Sequence, residues 1–231
     1  MKVFWSDVQV VAQGNDFGIT LDDRAVRTPA KAALAVPTRA VAEAIADEWR
    51  AQQEDVRPET MPVTRTANTA IDRVTGQFDA VASEIASYGE TDLLCYRAPH
   101  PQALVDRQTV AWDPLLDWSE DALSAPLRTT TGLMHCLQPQ DSLDALSRSV
   151  ARHSPWELTA LHDLVTLSGS LVIGLAVSHG HIEAEDAWPL SRIDEDWNIE
   201  EWGEDTEAAA LASRKRTDFL HANRFMTLLA T

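Results

Sequence analysis

The chain has 231 residues and a formal net charge of −17, because 36 Asp and Glu outnumber 19 Lys and Arg. This charge argues strongly against binding nucleic acid through phosphate neutralisation and against anionic membrane surfaces, and it favours a basic or apolar partner. Hydrophobic residues make up 45% of the chain, which is ample for a core, and two cysteines, Cys95 and Cys136, are typical of a reducing compartment rather than a disulfide scaffold.

The first third of the sequence predicts short strands followed by helices. The expected strands are 3–12, 17–21, 24–28 and 33–36, with turn signals at 13–16 and 22–23. Thr38 is the expected N-cap of a helix that ends near Gln53 and has an apolar face of Val41, Ala42, Ile45 and Trp49. A core role for Trp49 is favoured because it completes this face. Further helices are expected at 63–74 and 78–88.

The remaining two thirds read mostly as helix. Residues 91–97 suit either a strand or an extended link, and the following Ala-Pro-His-Pro (98–101) is the best linker in the chain, so the predicted domains are 1–97 and 98–231. Asp113-Pro114 predicts the start of a new helix, and the Thr-rich stretch 126–137 predicts a small hairpin. The other expected helices are 102–112, 142–152, 156–179 with a break near Gly169, 183–202 and 204–229.

No membrane-spanning or targeting segment is expected. The most apolar window, 164–177, contains Ser168, Gly169, Ser170 and Gly174 and is too short to cross a bilayer. The N-terminal residues lack the apolar region of a signal peptide and the Arg- and Ser-rich pattern of a transit peptide.

The most informative segment is 188–207. It interleaves three tryptophans with eight carboxylates between Asp194 and Glu207, and no Lys or Arg occurs between Arg192 and Arg214. Trp is over-represented at binding hot spots, and acidic potential attracts basic partners. The segment therefore predicts a surface that binds a partner by apolar contact and selects it by charge.

On a helical wheel this segment has two apolar stripes. One stripe consists of Leu190, Ile193 and Trp197, and the opposite one of Trp188, Ile199 and Trp202 with Glu195 among them. A carboxylate among apolar side chains is costly to desolvate unless it is paired. Either an internal arginine or a cation of a partner could pair with Glu195.

The familiar catalytic motifs are absent. The sequence has no phosphate-cradling glycine loop, no nucleophile elbow, no two-histidine zinc-protease motif and no CxxC pair. His179 and His181 are weak evidence for a metal, and the acids of 194–207 lack the spacing of a calcium loop. Two alternatives remain open: a metal-dependent hydrolase that uses these acids with His179 or His181, and a generic acidic adaptor for basic clients.

Three groups of motifs, in this order, resemble one family over nearly the whole chain. The first group is LDDRAVRTP at 21–29, VPT at 36–38 and AIADEWRAQ at 44–52. The second is MPVTR at 61–65, NTAID at 68–72 and YGETDLLCYR at 88–97. The third is WDPLLDW at 112–118 and SRIDEDWNIEEWG at 191–203. Together they resemble the assembly chaperones that bind the α subunit of the F-type ATP synthase in mitochondria and α-proteobacteria, with Asn198 and Pro189 as departures from the pattern.

The resemblance implies an α+β fold, in which a small N-terminal α/β domain with short antiparallel strands precedes a larger, orthogonal helical bundle. It implies no catalysis, no cofactor and no metal. The implied partner is the unassembled ATP synthase α subunit, held by a chaperone that is monomeric without its client. The implied location is the bacterial cytoplasm, or the mitochondrial matrix for eukaryotic members. The partner-binding residues expected from the resemblance and the acidic segment are Glu195, Asp196, Glu200, Glu201, Trp202 and Asp205.

Overall fold

The computed structural model of the chain describes residues 2–231. Its strands are β1 (Val8–Gln13), β2 (Asp16–Leu21), β3 (Arg24–Ala25), β4 (Ala35–Val36), β5 (Tyr96–Arg97) and β6 (Thr130–Thr131). Its α-helices are α1 (Arg39–Arg50), α2 (Pro62–Thr69), α3 (Phe78–Ser87), α4 (Gln102–Leu123), α5 (Gln140–Ala151), α6 (Pro155–Ser168), α7 (Leu171–Ser178), α8 (Ala184–Leu190), α9 (Ile193–Trp202) and α10 (Thr206–Leu229).

The backbone contacts group the chain into two units. Unit 1 contains the residues up to Phe78 with Pro155–Ala160 and Arg224–Thr231, and unit 2 contains Asp79–Ser154 and Leu161–Asn223. Residues 79–97, which the sequence assigns to the first domain, lie in unit 2. The division into an N-terminal α/β domain, 1–97, and a C-terminal helical domain, 98–231, stays a prediction.

Unit 1 is built on a small antiparallel sheet. β1 and β2 pair from Val8 opposite Leu21 to Gln13 opposite Asp16, and β2 also pairs with β3 and β4. The turn signals predicted at 13–16 and 22–23 coincide with these reversals. The short antiparallel strands at the N-terminus and the mostly helical remainder confirm the mixed α+β fold class.

Helix α1 packs on this sheet by the face that the sequence predicts. Thr38 caps the helix, because its hydroxyl accepts a hydrogen bond from the Val41 amide. Trp49 is 8% exposed and its ring lies 5.3 Å from that of Trp5. The core role predicted for Trp49 is therefore confirmed.

Unit 2 is mainly helical, and its helix boundaries confirm one prediction and correct two. The break expected near Gly169 is present, because Gly169 has a φ of +72° and α7 starts at Leu171. The new helix expected at Asp113 is wrong: α4 runs continuously from 102 to 123 with Pro114 inside it. The interruption that a proline causes is local, and the buried side chains of α4 on both sides of Pro114 keep the helix in one piece.

The predicted hairpin at 126–137 is also wrong. β6 pairs in parallel with β5, so its partner lies more than thirty residues earlier in the chain. The single helix expected at 183–202 is interrupted at Ser191 and Arg192, which separates α8 from α9.

Among residues 2–231, no helix combines the length and the apolar character needed to span a bilayer.

Candidate functional site

The break between α8 and α9 decides which tryptophans of the acidic segment are accessible. Trp188, at the end of α8, is 5% exposed and lies 5.5 Å from the ring of Phe219. Its predicted place on a binding stripe with Ile199 and Trp202 is wrong. A helical wheel assumes one continuous helix, with each residue rotated by the same angle from the one before it. The turn at Ser191 and Arg192 interrupts this rotation, so Trp188 and Trp202 do not lie on one face.

Helix α9 is buried at its first residue and exposed at its last turn. Ile193 is buried, Trp197 and Ile199 are half-buried, and Trp202 is 85% exposed. The helix ends at Gly203, whose φ of +90° lies in a region that side-chain-bearing residues rarely adopt. The chain then turns immediately, and the Trp202 indole stays at an exposed corner.

Helix α4 holds α9 through polar contacts. The Gln108 amide donates a 2.6 Å hydrogen bond to the Asp194 carboxylate, and Arg107 Nη1 lies 2.8 and 2.9 Å from the two oxygens of Glu200. The Trp112 indole N–H donates at 2.8 Å to the carbonyl of Leu190, the last residue of α8, just before α9 begins. These contacts fix the position of α9 and, with it, of the acidic residues.

An open groove of about 490 Å³ lies between α4 and the α8–α9 segment. Its apolar lining comes from Val110, Ala111, Pro189, Leu190 and Ile193, and its charged rim from Asp106, Arg107 and Asp196. Val110 is 78% exposed although it is aliphatic. Groove and rim together offer apolar contact area surrounded by charges of both signs.

The six predicted partner-binding residues do not share one environment. Glu195 and Glu201 are exposed, and within residues 2–231 neither forms a hydrogen bond or an ion pair. Trp202 is exposed as well. All three side chains are therefore accessible to a partner.

The other three have internal partners. Glu200 pairs with Arg107, and Asp196 lies 3.5 Å from Arg192 Nε, one helical turn earlier. Asp205 caps α10, since its carboxylate accepts a hydrogen bond from the Ala208 amide at 2.8 Å. Arg192, the arginine nearest to Glu195 in the sequence, therefore pairs with Asp196 instead.

Arg107 and Val110 are candidate site residues that the sequence does not single out. Both lie on α4, more than eighty residues before α9, and only tertiary packing brings them to the groove. A weak signal exists, since Val110 occupies a polar face of an otherwise amphipathic helix. That signal alone does not identify a partner element.

His179 and His181 both contact the indole of Trp118. His181 stacks on Trp118 at 4.9 Å, and His179 contacts the same indole edge-on at 5.8 Å. Burial and the neighbouring His153 and Arg152 lower the pKa of His179. Across the part of the chain that the structure describes, no three His, Cys, Asp or Glu side chains are arranged to hold a metal ion.

Burial raises the pKa of the Cys95 thiol to about 12, so this thiol is unreactive.

Comparison with known proteins gives consistent results. The family profile described as ATP12 chaperone protein matches residues 2–120. The curated protein atp12, mitochondrial, from Schizosaccharomyces pombe is 23% identical over 214 residues, covering 87% of this chain and 73% of that protein.

Solved structures agree over the full length. Atp12 from Paracoccus denitrificans is 48% identical, with a TM-score of 0.96 and coverage of 99% of this chain and 98% of that one. The Atu1473 protein from Agrobacterium tumefaciens is 42% identical, with a TM-score of 0.94 and coverage of 98% and 85%. The family match spans more than half of the chain, and the chain therefore belongs to the ATP12 chaperone family.

Proposed function

We propose that the protein is a non-catalytic assembly chaperone of the F-type ATP synthase that binds the unassembled α subunit and shields its subunit interface. Membership of the ATP12 chaperone family is the observation that carries this proposal. A subunit that awaits assembly exposes an obligate interface, which is more apolar than ordinary protein surface. A chaperone must cover that surface and later release it.

The exposed side chains of α9 have the chemistry for such reversible binding. Trp202 offers a large exposed apolar surface, and Glu195 and Glu201 offer unpaired charges. Aromatic residues supply contact energy at binding hot spots, while charges around them set encounter rate and specificity. Glu200 and Asp196 keep their internal partners and hold the helix in position.

The adjacent groove extends this surface. Its aliphatic lining can accept an apolar side chain of the client, and Arg107 and Asp196 at its rim can contact polar groups beside it. A binding surface that combines an apolar centre with a charged rim is typical of non-obligate interfaces. The β subunit of the ATP synthase must later displace the chaperone from the α subunit, and a non-obligate contact permits this displacement.

The test is affinity purification of the tagged full-length chain from native extract. Recovery of the ATP synthase α subunit as the dominant partner is the expected result. A broad set of basic proteins would instead indicate the generic adaptor, and stoichiometric metal in the purified protein would favour the metal-dependent hydrolase. We propose the bacterial cytoplasm as the location; the Schizosaccharomyces pombe relative is mitochondrial by name.

A further inference from the structure

The loop of residues 128–138, here the apolar loop, holds three large apolar side chains out in solvent. Leu133 is 97% exposed, Met134 79% and Leu137 74%. They make up three of the eight exposed large hydrophobic residues of the described chain, and all three lie within the five residues 133–137. Such a concentration of exposed apolar surface marks an interaction site.

The apolar loop is fastened at its base. The Gln138 side-chain amide donates to the Arg128 carbonyl at 2.9 Å, and its oxygen accepts from the Arg128 amide at 2.8 Å. One side chain thus replaces a pair of backbone hydrogen bonds and closes the loop. Beyond it, Ser142 Oγ donates to the Pro126 carbonyl at 2.7 Å.

The loop is also held along its length. β6 pairs with β5, and the Gly132 amide donates to the Arg97 carbonyl at 2.8 Å. The Tyr96 hydroxyl lies 3.3 Å from His135 Nδ1. The apolar side chains therefore project from an ordered support, which lowers the entropy cost of binding through them.

The charge of the loop and of the whole chain limits which kinds of partner the apolar loop can bind. Residues 126–140 contain no Asp or Glu, although the chain has 36 of them and a net charge of −17. Two copies of the chain repel each other, and so do the chain and an anionic lipid surface. An apolar protein surface is the remaining fit, and the flexible Met134 side chain adapts to an irregular one.

We propose that the apolar loop is a second client-binding element, which inserts Leu133, Met134 and Leu137 into the apolar interface of the unassembled α subunit. This inference rests on the proposed function, because it names the same client. It adds a contact separate in sequence from the acidic segment at 194–207. Two separate contacts let the chaperone bind through one while the other is displaced.

The test compares two triple variants of the full-length protein for affinity to the purified α subunit. The polar variant is Leu133→Ser/Met134→Ser/Leu137→Ser, and the matched control, Leu133→Met/Met134→Leu/Leu137→Met, keeps the apolar surface. The polar variant should bind at least about tenfold more weakly, with an unchanged melting temperature, and the control should bind like wild type. Equal binding by the polar variant would overturn the proposal.

Site-specific crosslinking identifies the occupant. A benzophenone side chain in place of Leu133 should give an adduct with the α subunit upon irradiation. An adduct with a second copy alone, or binding of the wild type to anionic vesicles that the polar variant loses, would overturn the assignment of the client. Failure of the wild type to bind the α subunit would instead overturn the proposed function itself, so the two failures are distinguishable.

Discussion

At the scale of single residues, identical residue types of this chain have opposite roles because their surroundings differ. Trp49 and Trp188 are buried and Trp202 is exposed, although all three lie in helices with mixed apolar and acidic neighbours. Glu200 is paired with Arg107, and the neighbouring Glu201 is unpaired. Side chains one position apart on a helix point about 100° apart, which explains the second contrast.

Trp49→Arg should act through folding. The change places an unpaired cation in the contact between α1 and the sheet of unit 1, at a cost of several kcal/mol against a total stability of about 5–15 kcal/mol. We expect insoluble protein or low yield. A soluble variant with the melting temperature of the wild type and a specific loss of the client would contradict this prediction.

Charge reversal at the unpaired acids should act on binding alone. Glu195→Lys combined with Glu201→Lys should leave the melting temperature unchanged, because neither side chain has a hydrogen-bond or ion-pair partner among residues 2–231. Binding to the α subunit should weaken by at least roughly tenfold, as repulsion replaces attraction at the interface. Both quantities should be measured on one preparation.

Two control variants make this test specific. Glu120→Lys combined with Asp121→Lys reverses two other exposed acids of unit 2 and gives the same change in net charge, so wild-type binding by this variant separates a local effect from an effect of net charge. Glu200→Lys removes the ion pair with Arg107, so it should also lower the melting temperature. If the Glu195/Glu201 variant bound the α subunit as tightly as the wild type, the acidic segment would be a solvated surface without a role in binding.

At the scale of elements, a buried carboxylate organises the start of α7. Asp92 is buried and accepts hydrogen bonds from Ser170 Oγ at 2.7 Å, the Val172 amide at 3.0 Å and the Leu94 amide at 3.1 Å. It thereby ties the turn before β5 to the N-terminus of α7. Burial nevertheless raises the pKa of Asp92 above its ordinary value, because the charged form loses its hydration.

This raised pKa predicts the sign of a pH effect on stability. A carboxyl group whose pKa is raised by folding stabilises the folded state below the unfolded pKa, and this contribution disappears as the pH rises through the folded pKa. The free energy of unfolding of the wild type minus that of Asp92→Asn should therefore decrease as the pH rises above 3.8, the ordinary value for Asp. Chemical denaturation of both proteins over a pH series measures it, and a difference that increases with pH would show that the hydrogen bonds dominate.

At the scale of the whole molecule, the net charge of −17 sets the long-range behaviour. If the client surface is basic, attraction accelerates encounter before any contact forms. The association rate with the α subunit should therefore fall several-fold between about 10 and 150 mM salt, as the screening length shrinks from roughly 30 to 8 Å. The dissociation rate should change much less. Stopped-flow fluorescence measures the association and dissociation rates. An association rate that does not change with salt would show that the charge of the chain does not steer the encounter.

The sequence by itself determined the features that depend on neighbours along the chain. The cap at Thr38, the buried face that includes Trp49, the turns of the small sheet and the break at Gly169 all follow from local conformational preference and periodicity. The ordered motifs likewise determined the family. Each of these signals acts over a few residues or is read directly from their order, so no knowledge of packing is required.

Tertiary structure alone decided which of these local features are accessible. The turn at Ser191 and Arg192 buries Trp188 and leaves Trp202 outside, α4 brings Arg107 to Glu200, and β5 takes β6 as its parallel partner. The same packing supports the apolar loop, whose side chains resemble core residues in the sequence. Burial and pairing depend on segments distant in sequence, and a local pattern does not contain the energies of those contacts.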